Sequence, residues 1–187
     1  MSKKEDLITK IIEIEWEMFS KVNNRGGKAS CQEEPKNFEI IRSSNFISWS
    51  EATLESYLND LQEAKKVKRN LMTEKYARME GLIPPPNSEV LSLIDKIVAL
   101  ECKWLEELAA KSPQYVPARP IYSRQDTPQV VSSETYSRGE LATYSKKTLE
   151  LYYQDILEMS QKNINRIEVI FSRMLEEFNN NFTEEKD

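Results

Sequence analysis

The chain has 187 residues, of which 39% are hydrophobic and 30% are charged, a composition typical of a soluble, helix-rich globular protein. Its net charge of −5 disfavours broad binding to nucleic acid or to an anionic membrane surface, because both require an excess of Lys and Arg. The complete lack of histidine excludes Ser-His and Cys-His nucleophilic sites within this chain, and it excludes histidine-ligated zinc and di-iron centres.

Helical periodicity predicts helices throughout the first half of the chain. Apolar residues recur at three- and four-residue spacing over 5–22, and the turn-forming residues NNRGGK then end that helix. A short helix is predicted over 37–47. The next helix begins after its candidate cap Ser50, breaks near Lys68, and ends at about Glu80, where GLIPPP follows.

The second half of the chain predicts a long helix, a long loop and a final helical region. Residues 88–110 are amphipathic and begin at the candidate cap Ser88. Residues 112–132 contain four prolines, and a loop of about twenty residues is often functional. The last helical region opens at SSETYSRGEL, and its drifting apolar stripe indicates a kink or a second helix at 163–165.

No apolar run is long enough to cross a membrane, and the segment MSKKEDLITK lacks the pattern of a signal peptide. Cys31 and Cys102 do not form a CxxC pair, which favours reduced thiols. We therefore expect a cytoplasmic protein.

Several charged side chains are predicted to lie on the apolar faces of these helices. At about 100° per residue, Glu15 lies at the centre of the apolar arc of the first helix, and Glu101 lies at the centre of the arc over 88–110. Other charged residues that fall on inward faces are Arg42, Lys75, Glu134 and Arg138. An unpaired charge in an apolar core is costly, so we expect these groups to meet one another.

Two interpretations of the inward charges are open. One is a structural salt-bridge network between helices. The other is a polar pocket inside the bundle, in which Glu15 and Glu101 are catalytic acid or base groups while Arg42, Lys75 and Arg138 anchor an anion. The two glutamates are then expected to approach each other or a shared cation. In the pocket interpretation, Glu15→Leu should keep its melting temperature and lose ligand binding.

No cofactor and no tightly bound transition metal are expected, because histidine is missing and cations crowd the proposed site. A carboxylate-only Mg²⁺ or Mn²⁺ site is chemically possible, although the interleaved basic residues disfavour it. The glycine-containing segment NNRGGKASCQ lacks the spacing of a P-loop and follows a helix rather than a strand. It is interpreted either as a helix-ending turn or as an anion-binding nest of the Gly26 and Gly27 amides. Cys31 would need a nearby cation or helix end to become a nucleophile.

Four segments carry a resemblance that covers most of the chain: EIEWEMFSKVNNRGGKASCQ, FEIIRSSNFISW, NLMTEKYARM and SSETYSRGELATYS. They resemble an uncharacterised bacterial helical family, a domain of unknown function. The resemblance implies a nucleotidyltransferase-like partner protein in some cases. Lys68 stands where the family pattern has a glycine. The matching positions are Glu15, Asn23, Asn24, Gly27, Cys31, Gln32, Arg42, Glu74, Tyr76, Arg78, Glu134, Tyr136, Arg138, Gly139 and Glu140.

These observations predict an all-α fold, a single-domain bundle of about five or six helices over residues 1–187. The predicted function is recognition, with or without a reaction, of a small polar or anionic molecule or peptide by a charged pocket. Besides the residues of the inward faces, its binding residues would be Asn24, Gly27, Cys31, Glu74, Arg78 and Tyr136. The alternative is a helical protein-protein interaction or regulatory module with a structural salt-bridge network.

Overall fold

A computed structural model describes residues 2–23, 27, 29–112 and 119–184, and for 181–184 it describes the backbone alone. Within these ranges the chain has eight α-helices and no strand, so the all-α class is confirmed and the expected count of five or six is wrong. The helices are α1 (Lys3–Phe19), α2 (Pro35–Phe46), α3 (Glu51–Lys66), α4 (Leu71–Met79), α5 (Ser88–Lys111), α6 (Ser133–Leu141), α7 (Lys146–Gln161) and α8 (Arg166–Glu184). None of the helices in these ranges is long and apolar enough to cross a membrane.

Two of the helix breaks lie where the sequence predicts them, and each has a residue in the left-handed backbone region. Lys68 has φ 58° and Asn163 has φ 54°. After the first break, the Arg69 N–H donates to the Ala64 carbonyl at 2.8 Å, which closes the end of α3 in a Schellman arrangement. Lys68 therefore adopts the conformation that the glycine of the family pattern would adopt more readily. The second break separates α7 from α8.

A third break, between α6 and α7, is not predicted and accounts for part of the error in the helix count. Helix α6 ends at Leu141, and α7 begins after Ser145, whose hydroxyl accepts a hydrogen bond from the Thr148 N–H at 3.2 Å. Ser50 caps α3 in the same way, as predicted. Helix α5 is capped by Asn87 rather than by Ser88.

The helices enclose a core of aliphatic and aromatic side chains. Helix α1 packs against α2, α3 and α4, while α5 packs against α6, α7 and α8. Contacts of α3 with α7, α4 with α6 and α2 with α8 join these two groups of helices. Rings of Trp49, Tyr57, Tyr144 and Tyr152 contact one another at the centre, with centroids 4.6 to 5.9 Å apart.

Gly139 lets α6 approach α4 closely. A Cβ atom at this position would lie 2.6 Å from Met79 Cγ and 3.0 Å from the Lys75 carbonyl oxygen. Real Cβ atoms essentially never come as close as the first of these distances. The close approach places Glu140, the next residue of α6, within hydrogen-bonding distance of the Lys75 ammonium group.

Candidate functional site

Glu15 of α1 and Arg42 of α2 form a buried, two-point ion pair. Arg42 Nε donates to Glu15 Oε2 at 2.7 Å, and Arg42 Nη2 donates to Oε1 at 2.5 Å. The Tyr57 hydroxyl donates to the same Oε1 at 2.7 Å. The Glu15 side chain has no exposed surface, and that of Arg42 is 10% exposed. Both carboxylate oxygens of Glu15 are therefore occupied by groups of the protein.

Glu140 extends this pair into a network that joins four helices. Its Oε1 accepts from Arg42 Nη2 at 2.9 Å and from the Tyr144 hydroxyl at 2.8 Å, while its Oε2 accepts from Lys75 Nζ at 2.6 Å. Burial alone would raise the pKa of Glu140, but Arg42 and Lys75 hold it well below its usual value. We call Glu15, Arg42, Lys75 and Glu140 the buried network; its two carboxylates balance its two cations.

Tyr136 covers the Lys75 end of the buried network. Lys75 Nζ lies 3.6 Å from the centroid of the Tyr136 ring, and the Arg119 guanidinium carbon lies 4.8 Å from the same centroid. Such contacts between cations and aromatic faces are stabilising. Burial, reinforced by Tyr136, raises the pKa of the neighbouring Tyr76 to about 12, so this hydroxyl is protonated at neutral pH.

Glu101 belongs to a different cluster. It accepts hydrogen bonds from the Ser137 hydroxyl and the Tyr152 hydroxyl, each at 2.5 Å. Arg166 of α8 has its Nη1 3.8 Å from Glu101 Oε1. In the described part of the chain, Glu15 pairs with Arg42, whereas Glu101 pairs with Arg166. The expectation that the two glutamates share a cation is therefore wrong. An acid or base role for either glutamate stays a prediction.

A groove of about 270 Å³ lies between α5, the end of the long loop and α6. Two of the predicted inward charges, Glu134 and Arg138, line it. Glu15, Arg42 and Glu101 do not line it. The lining residues are Asp95, Val98, Ala99, Cys102, Lys103, Tyr122, Glu134 and Arg138.

The polar wall of the groove is held by hydrogen bonds between its own residues. Arg138 Nη1 donates to Asp95 Oδ1 at 2.5 Å, and Arg138 Nε donates to Glu134 Oε1 at 3.1 Å. Glu134 Oε2 accepts from the backbone N–H of Ser123 at 2.8 Å, which ties the loop to α6. The Ser123 N–H lowers the pKa of Glu134, so this carboxylate is ionised at neutral pH.

The floor of the groove is apolar and unreactive. Val98 and Cys102 are buried, and Ala99 lies beside them on α5. Burial, followed by the charges of Glu134 and Glu101, raises the pKa of the Cys102 thiol to about 11. Because the thiolate is the nucleophilic form, Cys102 is a poor nucleophile at neutral pH.

The remaining candidates of α4 do not line the groove. Glu74 accepts two hydrogen bonds from Arg69, each at 2.7 Å, in a fork that is partly exposed. Arg78 Nη1 donates to the Pro84 carbonyl at 2.8 Å, while its Nε is buried and has no partner in the described residues. Within the same residues, no three His, Cys, Asp or Glu side chains lie close enough together to hold a metal ion.

Gln32, the last residue of the segment NNRGGKASCQ, ties the described part of this segment to the end of α1. Gln32 is buried; its Nε2 donates to the carbonyls of Phe19 and Val22, and its Oε1 accepts from the Ala29 N–H. Gly27 has φ 92°, and Cys31 is exposed in the 3-10 turn Ser30–Glu33. The candidate Asn24 and the Gly26 amide of the proposed nest lie outside the described residues.

Several residues of these clusters are not indicated by the sequence. Glu140 is indicated only by the family resemblance, because its charged partners Arg42 and Lys75 lie 98 and 65 residues away in the chain. In the sequence, Asp95 and Lys103 have the pattern of ordinary surface charges. Only the tertiary packing shows that they border a groove. The residues that no sequence pattern indicates are Tyr57, Asp95, Lys103, Tyr122, Tyr144 and Arg166.

Comparison with protein families matches residues 5–184 to one described as "Protein of unknown function (DUF4125)". No curated protein and no solved structure matches the chain. The resemblance to a domain of unknown function is thus confirmed, whereas the nucleotidyltransferase-like partner stays a prediction. Because the match extends over nearly the whole length of the chain, the protein belongs to the DUF4125 family.

Proposed function

We propose that the protein binds a small polar molecule in the groove between α5 and α6. The observation that carries this proposal is a concave surface with an apolar floor and charges of both signs on its walls. Binding sites for small molecules are concave and largely apolar, with a few polar groups that orient the ligand. Drug-sized ligands occupy pockets of roughly 300 Å³ or more. The groove, at about 270 Å³, therefore suits a smaller ligand.

The buried network is a weaker candidate for the binding site. Glu15 has no exposed surface, and Lys75 is 3% exposed at its side chain. Each charged group of the network is already bonded to another, so a ligand would have to break an ion pair to enter. Leaving one member of a buried ion pair without its partner costs about 3–5 kcal/mol. We therefore assign the network to the stability of the bundle.

The groove, by contrast, offers polar groups that a ligand can reach. Arg138 is 37% exposed at its side chain, and its partner Asp95 is 61% exposed. Exposed ion pairs of this kind contribute about 0–1 kcal/mol, so a ligand can compete for either partner. Glu134 continues to orient the guanidinium from the other side.

A thermal-shift screen of amino acids, nucleotides and small anions tests the proposal. The variants are Arg138→Gln and a matched control, Arg173→Gln, since Arg173 is an exposed arginine of α8 that also pairs with carboxylates one turn away. A ligand at one hundred times its Kd should raise the melting temperature by about 5–10 °C. We expect this shift in the wild type and the control and its loss in Arg138→Gln. A shift retained in Arg138→Gln, or no shift with any compound, would contradict the proposal.

A second candidate, an interaction module, is favoured by exposed apolar residues on two helices that pack together. Ile41 of α2 is 40% exposed, Ile47 at its end 39%, and Leu175 of α8 41%. Because α2 and α8 pack against each other, we propose that these side chains contribute to one association surface. Sedimentation of the wild type over a range of concentrations should then show self-association that Ile41→Gln with Leu175→Gln removes. A monomer at every concentration would count against this surface.

A further inference from the structure

The groove has an acidic end and a basic end along α5. Its α5 residues follow the spacing of one helical face, with Asp95 at the start and Lys103 at the far end. Eight residues of α-helix separate these two positions by about 12 Å. Two groups of opposite charge therefore border the same groove at opposite ends.

The α6 side of the groove reinforces this separation. Arg138 bonds to both Asp95 and Glu134, so these three groups together carry a net charge of −1. Lys103, in contrast, has one ion pair in the described residues, to Glu107 at 3.6 Å. Glu107 does not line the groove, and both side chains of that pair are exposed, at 66% and 48%. The positive charge of Lys103 is thus weakly compensated.

We propose that the ligand is a short zwitterion that lies along α5, with its ammonium group at Asp95 and its carboxylate at Lys103. This inference rests on the proposed function and gives its ligand a chemical class. Arg138 bonds to Oδ1 of Asp95, so it positions this carboxylate and leaves Oδ2 for the ammonium group. Arg138→Gln is therefore expected to weaken binding by releasing Asp95. A ligand with one charge would leave one end of the groove without a partner. A zwitterion satisfies both ends, and the floor of Val98 and Ala99 accommodates an apolar middle.

The length of the groove favours a ligand of about dipeptide size. Two extended residues span roughly 7 Å. A hydrogen bond of about 2.8 Å at each charged end extends this reach to about 12 Å, which matches the rise along α5 between the backbone positions of Asp95 and Lys103. A free α-amino acid, whose two charges are much closer together, could satisfy one end at a time.

The test uses three probes: alanyl-alanine with free ends, its N-acetyl derivative and its C-terminal amide. Calorimetric titration of the wild type should give the free dipeptide at least a tenfold lower Kd than either blocked form. Lys103→Gln should remove the preference over the amide and keep the preference over the acetyl form. Asp95→Asn should remove the preference over the N-acetyl derivative and keep the preference over the amide. The matched control is Lys162→Gln, because Lys162 is likewise 66% exposed and pairs with a glutamate one turn away at 3.7 Å.

The outcomes separate this inference from the proposed function. If the three probes bind equally and Arg138→Gln abolishes their binding, the groove is a binding site and the zwitterion inference is wrong. If none of the three binds, the zwitterion inference is also wrong, and the wider screen against Arg138→Gln decides the proposed function separately. Loss of the terminal preferences in Lys162→Gln would overturn the assignment to the groove. Each variant is first checked for an unchanged melting temperature without ligand, which exposed positions should retain.

Discussion

Glu15 illustrates how burial decides the role of a single residue. Three hydrogen bonds hold a carboxylate with no exposed surface, and its removal leaves Glu140 as the one carboxylate for both Arg42 and Lys75 among the described residues. Glu15→Leu should therefore lower the free energy of unfolding by about 3–5 kcal/mol. This reverses the sequence-based expectation of an unchanged melting temperature. Chemical denaturation measures it, with the exposed Glu13→Leu of the same helix as the control. An unchanged stability of Glu15→Leu would support an open pocket instead.

Glu140 gives the buried network a testable dependence on pH. Its pKa is lowered in the folded state, so the stability that it contributes is present above its unfolded pKa of about 4.3 and is lost as the pH falls further. The stability difference between wild type and Glu140→Gln should be largest at neutral pH and should shrink on acidification below pH ~4. Urea denaturation over a series of pH values measures this difference. A difference that stays constant from neutral pH down to strong acid would contradict the assigned ion pairs.

At the scale of helices, the contact of α4 with α6 depends on a residue without a side chain. Gly139→Ala places a Cβ against Met79 Cγ and the Lys75 carbonyl, and overpacking of this kind costs about 1–3 kcal/mol. The gain in helix propensity, about 1 kcal/mol, offsets only part of that cost. Thermal unfolding should show that Gly139→Ala is less stable than the wild type. Adding Met79→Ala to the Gly139→Ala variant should recover part of this lost stability. A Gly139→Ala variant as stable as the wild type would mean that α6 can shift freely.

Helix ends also show what the sequence can predict. Ser50 and the breaks near Lys68 and Asn163 follow from local chemistry, namely capping and left-handed turns, and were predicted. The break before Ser145 was missed because an apolar stripe continues across it. Partners such as Asp95 for Arg138, or Glu140 for Lys75, are far apart in the chain and depend on how the helices pack. Inward charges could be predicted, but their pairing could not.

For the molecule as a whole, the structure separates two uses of charge. The buried network pairs charges from α1, α2, α4 and α6 inside the bundle, where they hold helices together. The groove holds a second set between α5 and α6, where solvent reaches them. The sequence predicted both sets as one pocket, because periodicity places residues on faces but does not show which faces meet.

The central claim is that ligands bind in the groove and not at the buried network. Backbone amide NMR spectra recorded during titration with alanyl-alanine, or with a compound from the screen, test it most directly. We predict that the largest chemical-shift changes occur at Ala99, Lys103 and Tyr122, while the amides of Glu15 and Arg42 change little. The largest changes at Glu15 and Arg42, with the groove unaffected, would contradict the account.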